Sequence, residues 1–149
     1  MLAIKTVLHP TDFTELSTHA LHLAHSLARD YSARLVLLHV KMPSEVVEGE
    51  FGMTLPDPPQ SDQELLDRLQ VLLPANTNVN AEGVIAEGHP SDEIVRVAKE
   101  ERCDLIVMGT HGRSGLSRVF LGSVADSVTR NASCPVVTVR TSQTEIPDE

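Results

Sequence analysis

The chain has 149 residues, 41% of them hydrophobic and 22% charged, which suits one globular domain with a proper core and leaves too little chain for two. Its formal net charge of −9 excludes a general nucleic-acid or anionic-membrane surface, since either needs a basic patch. No apolar run approaches a membrane span and the N-terminus lacks the ordered regions of a signal peptide, so the sequence reads as a cytoplasmic protein.

Residues 2–8 form an apolar run and read as a strand. Residues 14–29 read as a helix with Ala20, Leu23, Ala24 and Leu27 on one face, entered through an apolar Phe13 and an N-cap at Thr14. A second strand covers 34–40, where Leu35 to Leu38 are continuously apolar. Residues 41–61 carry Pro43, Pro56, Pro58 and Pro59 with Gly49 and Gly52, so this stretch is either a functional lid or a surface excursion. Phe51, Met53 and Leu55 give it something to bury. A helix follows over 62–73, stopped by Pro74, then a strand over 79–86 and a helix over 91–101 with Pro90 at its first turn. The remaining elements are a strand at 103–108, a helix at 123–131 and a strand at 136–139, before an acidic tail at 141–149. Continuously apolar strands alternating with helices predict a single open parallel sheet covered by helices on both faces, a Rossmann-like α/β domain over 1–140.

Ligands of such sheets sit beyond the carboxyl ends of the strands, where the strand order reverses. The first tip, His9-Pro-Thr-Asp12, contains no glycine, which excludes a dinucleotide fingerprint. The third tip, Ala86-Glu-Gly88, lacks the Asp of a phosphorylated receiver, and no Lys precedes Ser123 as a Walker loop would require. What stands after the fourth strand is Gly109-Thr-His-Gly112, nine residues, then Gly122-Ser123 at the start of a helix. Glycines let backbone N–H groups approach an anion, and a helix N-terminus adds unpaired donors and the positive end of its dipole. Arg113 and Arg118 bring local positive charge to an otherwise acidic protein. Ser123 suits either a helix cap or a phosphate oxygen. Asp12 would repel a triphosphate, so it suits a nucleoside hydroxyl or amine, a bound Mg²⁺, or a turn that caps the first helix.

Of the histidines, His19, His22 and His25 lie opposite the apolar helix face and read as solvated surface, while His9 and His39 at strand tips read as core packing. His111 is the one placed near phosphate. Cys103 and Cys134 each precede an apolar run and read as small buried residues.

The spacing Gly-x₂-Gly-x₉-Gly-Ser at Gly109, Gly112, Gly122 and Ser123 resembles the ATP-binding signature of the universal stress proteins. The resemblance extends through Pro10-Thr-Asp-Phe13, Leu37-Leu-His-Val40, the stretch from Asp104 to Arg113, Gly122-Ser-Val-Ala125 and Cys134-Pro-Val-Val137. It implies a five-stranded domain of order 3-2-1-4-5, a homodimer, and a nucleotide-dependent stress-response or signalling module that binds ATP with Mg²⁺. Carried over by position, Asp12 and Val40 contact the adenosine end, with Pro10 and Thr11 lining it. Met108 and Gly109 flank the ribose and the start of the phosphates, while Gly112, Arg113, Gly122, Ser123 and Val124 hold them. The rival is a slow ATPase or related nucleotide hydrolase. Arg113 and Arg118 would supply charge for it, yet no second carboxylate or evident base accompanies them, with His111 the single candidate. A third reading is a structural dimer with a vestigial site. Val136, Val137 and Val139 of the last strand would form the dimer edge, and a proline at Val137 would remove a donor from it.

Overall fold

The apolar runs line up side by side in a computed structural model of the chain, which describes residues 3–43, 60–110 and 122–140. The strands are β1 (Thr6–Pro10), β2 (Arg34–Lys41), β3 (Ala81–Glu87), β4 (Leu105–Gly109) and β5 (Val136–Val139). All pairings are parallel and the order is β3-β2-β1-β4-β5, as expected. Between them run α1 (Thr18–Tyr31), α2 (Asp62–Gln70), α3 (Pro90–Glu100) and α4 (Ser123–Asn131).

Successive residues of the central strands enter opposite cores. Val7, Leu35, Leu37, Leu105 and Val107 pack with Ala20, Leu21, Ala24 and Ala28 of α1 and Leu69 of α2. Leu8, Val36, Leu38, Ile106 and Met108 pack with Ile94, Val97 and Ala98 of α3 and Ala125 and Val128 of α4. A strand buried on both faces needs no polar residue, which is why these segments read as runs instead of alternations. The edge strand β3 is largely exposed, and its sequence is correspondingly more polar.

Three helix details differ from the sequence reading. The chain enters α1 through a 3₁₀ turn, Glu15–Ser17, so the α-helix itself starts at Thr18. The buried stripe of α1 runs through Ala20, Leu21, Ala24 and Ala28, leaving Leu23 37% exposed. At about 100° per residue, Leu23 falls outside a stripe centred between Ala24 and Ala28. The second helix ends at Gln70, three residues short of the expected stop, and starts at a Ser61–Glu64 capping box. Pro90 opens α3 at its first position, as expected.

The ladder polarity of β5 corrects one expectation. Ile106 N–H donates to the Pro135 carbonyl at 3.0 Å and Thr110 N–H to the Val139 carbonyl at 3.1 Å. With Ile106 opposite Val136 and Val107 opposite Val137, the N–H and C=O of Val137 face β4, inside the sheet. The outward-facing groups are those of Val136 and Thr138. A proline at Val137 would therefore break the sheet's own ladder, and Thr138 is the position that addresses the edge.

Candidate functional site

The order reverses between β1 and β4, so their carboxyl ends bound the crevice in which ligands of such sheets sit. The tip of β1 is organised around a proline. β1 pairs with β4 at Val7–Leu105 and Leu8–Ile106, and the next ladder donor would be Pro10, which has no N–H. The carbonyl of Val107 is satisfied instead by the imidazole of His9, whose Nδ1–H donates to it at 2.9 Å. That bond assigns the tautomer, so Nε2 carries the lone pair. Nε2 is buried without a hydrogen-bond partner among the described residues. Burial holds the imidazole down to about 4, against the raising effects of the Val107 carbonyl and of Asp12. His9 is a neutral core histidine, as its position suggested.

After Pro10 the chain turns sharply. Thr11 is buried and fully engaged: its N–H donates to the Leu38 carbonyl, and its Oγ1 accepts from Phe13 N–H at 3.0 Å. Ser17 Oγ gives its proton to the Thr14 carbonyl, so the 3.0 Å contact between the Thr11 and Ser17 hydroxyls uses the Thr11 proton. Asp12 Oδ1 accepts from Thr14 N–H at 3.0 Å and from the Thr14 hydroxyl at 2.6 Å. This is an Asx turn, and Thr14 itself makes no side-chain cap. Asp12 is thus a turn residue, yet the turn uses only one of its oxygens. Oδ2 makes no hydrogen bond among the described residues, and the side chain is half-buried at the crevice. Val40, at the tip of β2, is half-buried against the α3–α4 core.

On the β4 side, Met108 is buried and Gly109 ends the strand opposite Val139. The helix that returns from this tip, α4, has Gly122 at its N-cap with φ −130° and no side-chain cap, while Ser123 is its first residue. Ser123 therefore does not cap the helix, and Val124 follows it half-buried. A Cβ built on Gly122 would meet no atom of the described residues within 4 Å. His111, Gly112, Arg113 and Arg118 lie outside the described residues, as does most of the 41–61 stretch. Pro10, Thr11 and Asp12 are brought to one end of the sheet with Val40, Met108, Gly109, Gly122, Ser123 and Val124 by the strand order and the return of α4. Such an arrangement offers uncapped N–H donors to an anion on one side and a carboxylate oxygen to hydroxyl or amine donors on the other.

The sequence profile of the universal stress proteins matches residues 3–140. The chain belongs to the universal stress protein family. A universal stress protein of Methanocaldococcus jannaschii is 34% identical over 140 residues, spanning 91% of this chain and 82% of that one. The universal stress protein YxiE of Bacillus subtilis is 34% identical over 139 residues, spanning 87% and 94%. A crystal structure of a universal stress protein in complex with cAMP matches with a TM-score of 0.69 at 26% identity, over 95% of this chain and all of that one.

In this family member the other polar candidates are occupied elsewhere. His19 and His22 are exposed on α1, and His25 Nε2 lies 2.7 Å from the Thr77 hydroxyl. Burial, then the neighbouring Cys134, push the Cys103 thiol up to about 12, and burial raises Cys134 as well. Neither is a reactive thiolate at neutral pH. Among the described residues no helix is long and apolar enough to cross a membrane. The sequence reading took Phe13 as the apolar entry to the first helix; in the structure it has a left-handed φ of 66°, with its ring against His39 and Arg68. A bulky residue between Asp12 and Thr14 was the only signal for it, and no propensity rule predicts that conformation for Phe.

Proposed function

We propose that this universal stress protein binds ATP with Mg²⁺ in the crevice between the tips of β1 and β4 and acts in the cytoplasm as a nucleotide-dependent stress-response module. Residues 1–140 serve as the nucleotide-binding domain, 141–149 as an acidic tail, and β5 as the seam of a homodimer.

Gly122 carries the reading. Nothing in the described fold calls for a glycine there: φ is −130°, and no atom lies within 4 Å of an added Cβ. At an N-cap, a Ser, Thr, Asp or Asn side chain would satisfy the first-turn N–H groups, whereas glycine leaves them for an anion. Among the described residues nothing fills the space beside it, which suits a phosphate. At the other end of the crevice, Oδ2 of Asp12 suits a ribose hydroxyl or the adenine amine, or a Mg²⁺ ion that also meets the phosphates. The pinned Oδ1 pre-orients it. The cAMP complex of a relative of the same fold supports an adenine nucleotide as ligand.

The test is Gly122→Val. Because φ and space both admit a side chain, the variant should keep the wild-type melting temperature while losing ATP binding by titration calorimetry. Equal ATP affinity in the two proteins would refute the phosphate assignment.

A further inference from the structure

Phe13 occupies a conformation that its residue type resists. A φ of 66° is left-handed, and a bulky side chain persists there only where its surroundings over-determine it. Here the ring is held by two neighbours. His39 packs against it with centroids 4.6 Å apart and planes tilted by 43°. The guanidinium carbon of Arg68 stands 3.9 Å from the ring centroid, a cation–π distance. Each neighbour is itself anchored. His39 Nδ1–H donates to the Thr11 carbonyl at 3.0 Å, and Arg68 Nη1 donates to Gln60 Oε1 at 2.8 Å.

We propose that Phe13, His39 and Arg68 form a clamp that sets the 11–14 turn and so aims the Asp12 carboxylate at the nucleoside, with Arg68 as a positioning residue contributed by α2. The aiming rests on the ATP reading above; the clamp itself does not. The effect of Phe13 is transmitted through the backbone. Phe13 N–H holds the Thr11 hydroxyl, and the next residue, Thr14, gives two hydrogen bonds to Asp12 Oδ1. Rotation of Phe13 out of the left-handed region would reorient the peptide that carries these donors and swing Oδ2 away from the crevice. A cation–π contact on an exposed helix is too weak to decide the fold, but it is large enough to shift the population of a strained turn.

Two measurements decide it. In nucleotide-free protein, amide exchange at Phe13 and Thr14, followed by NMR, should accelerate by about tenfold in Arg68→Ala, and Arg68→Lys should restore protection. Unchanged exchange in Arg68→Ala overturns the clamp whether or not any nucleotide binds. Calorimetry then compares ATP with inorganic tripolyphosphate, which has no nucleoside to meet Asp12. Arg68→Ala should weaken ATP by about tenfold and leave tripolyphosphate unchanged. Equal losses for both ligands, or none for ATP, overturn the positioning role. A wild type that binds neither ligand refutes the ATP reading, and the exchange data still judge the clamp.

Discussion

At the tip of β1, His9 and Pro10 act as a pair. The proline removes a ladder donor, and the histidine beside it returns one to Val107 from its ring. Apolar surroundings keep that ring neutral, which makes His9 an acid-sensitive point of the fold. Its folded value of about 4 lies below the ordinary 6.5, so the unfolded chain binds the extra proton between those pH values. The His9 contribution is complete above pH 6.5 and is lost as pH falls towards 4, a loss of about 3 kcal/mol. Urea unfolding from pH 7 to pH 4 should show this slope. His9→Asn, whose amide can still donate to Val107 and does not titrate, should flatten it. An identical slope in both proteins would mean that other groups govern the acid response. At the opposite wall, Gly122 is informative for a complementary reason: neither its φ nor the described residues around it demand a glycine.

Among the elements, β5 is the edge strand whose sequence suits a partner. Among the described residues it pairs only with β4, and its outer side carries the N–H and C=O groups of Val136 and Thr138. An unpaired, β-prone edge invites a second copy, and two such edges related by a two-fold axis close on themselves. Light scattering at micromolar concentration should give a mass of two chains for the wild type. Thr138→Pro should give one chain with an unchanged circular dichroism spectrum, because proline is tolerated where the lost N–H faces outward. A one-chain wild type would refute the dimer. A proline at Val137 would confuse the result by unfolding β5 from β4.

For the whole molecule, the proposed ATP site between β1 and α4 would link ligand binding to stability. Saturation at about 100 times the dissociation constant should stabilise the fold by about 2.7 kcal/mol, which is about 5–10 °C in melting temperature for a chain of this size. A melting curve that does not move with ATP and Mg²⁺ would count against binding. Turnover should remain far below roughly 1 per second, since the sequence offers the proposed phosphate donors without an evident general base. A faster rate that is lost on His111→Ala would identify an enzyme.

Sequence and tertiary structure determined different parts of this protein. The parallel α/β class was legible because Leu35 to Leu38 and residues 105–108 are apolar without alternation, a local pattern that reports burial on both faces. The glycine spacing marked a candidate phosphate site after β4, and the resemblance it carried pointed to the family that the comparison with residues 3–140 identifies. The roles inside the 11–14 turn were not legible. Thr11 was read as a lining residue and proved to be fully engaged in scaffold bonds, and Thr14 was read as a cap and instead donates to Asp12. The left-handed Phe13 depends on His39 and Arg68, 26 and 55 residues away in the chain. The direction of the Val137 donor depends on which neighbour β5 pairs with. Periodicity and glycine placement are properties of a segment and can be read from it. Hydrogen-bond assignment, ring stacking and ladder polarity are properties of pairs, and only the folded chain decides which residues meet.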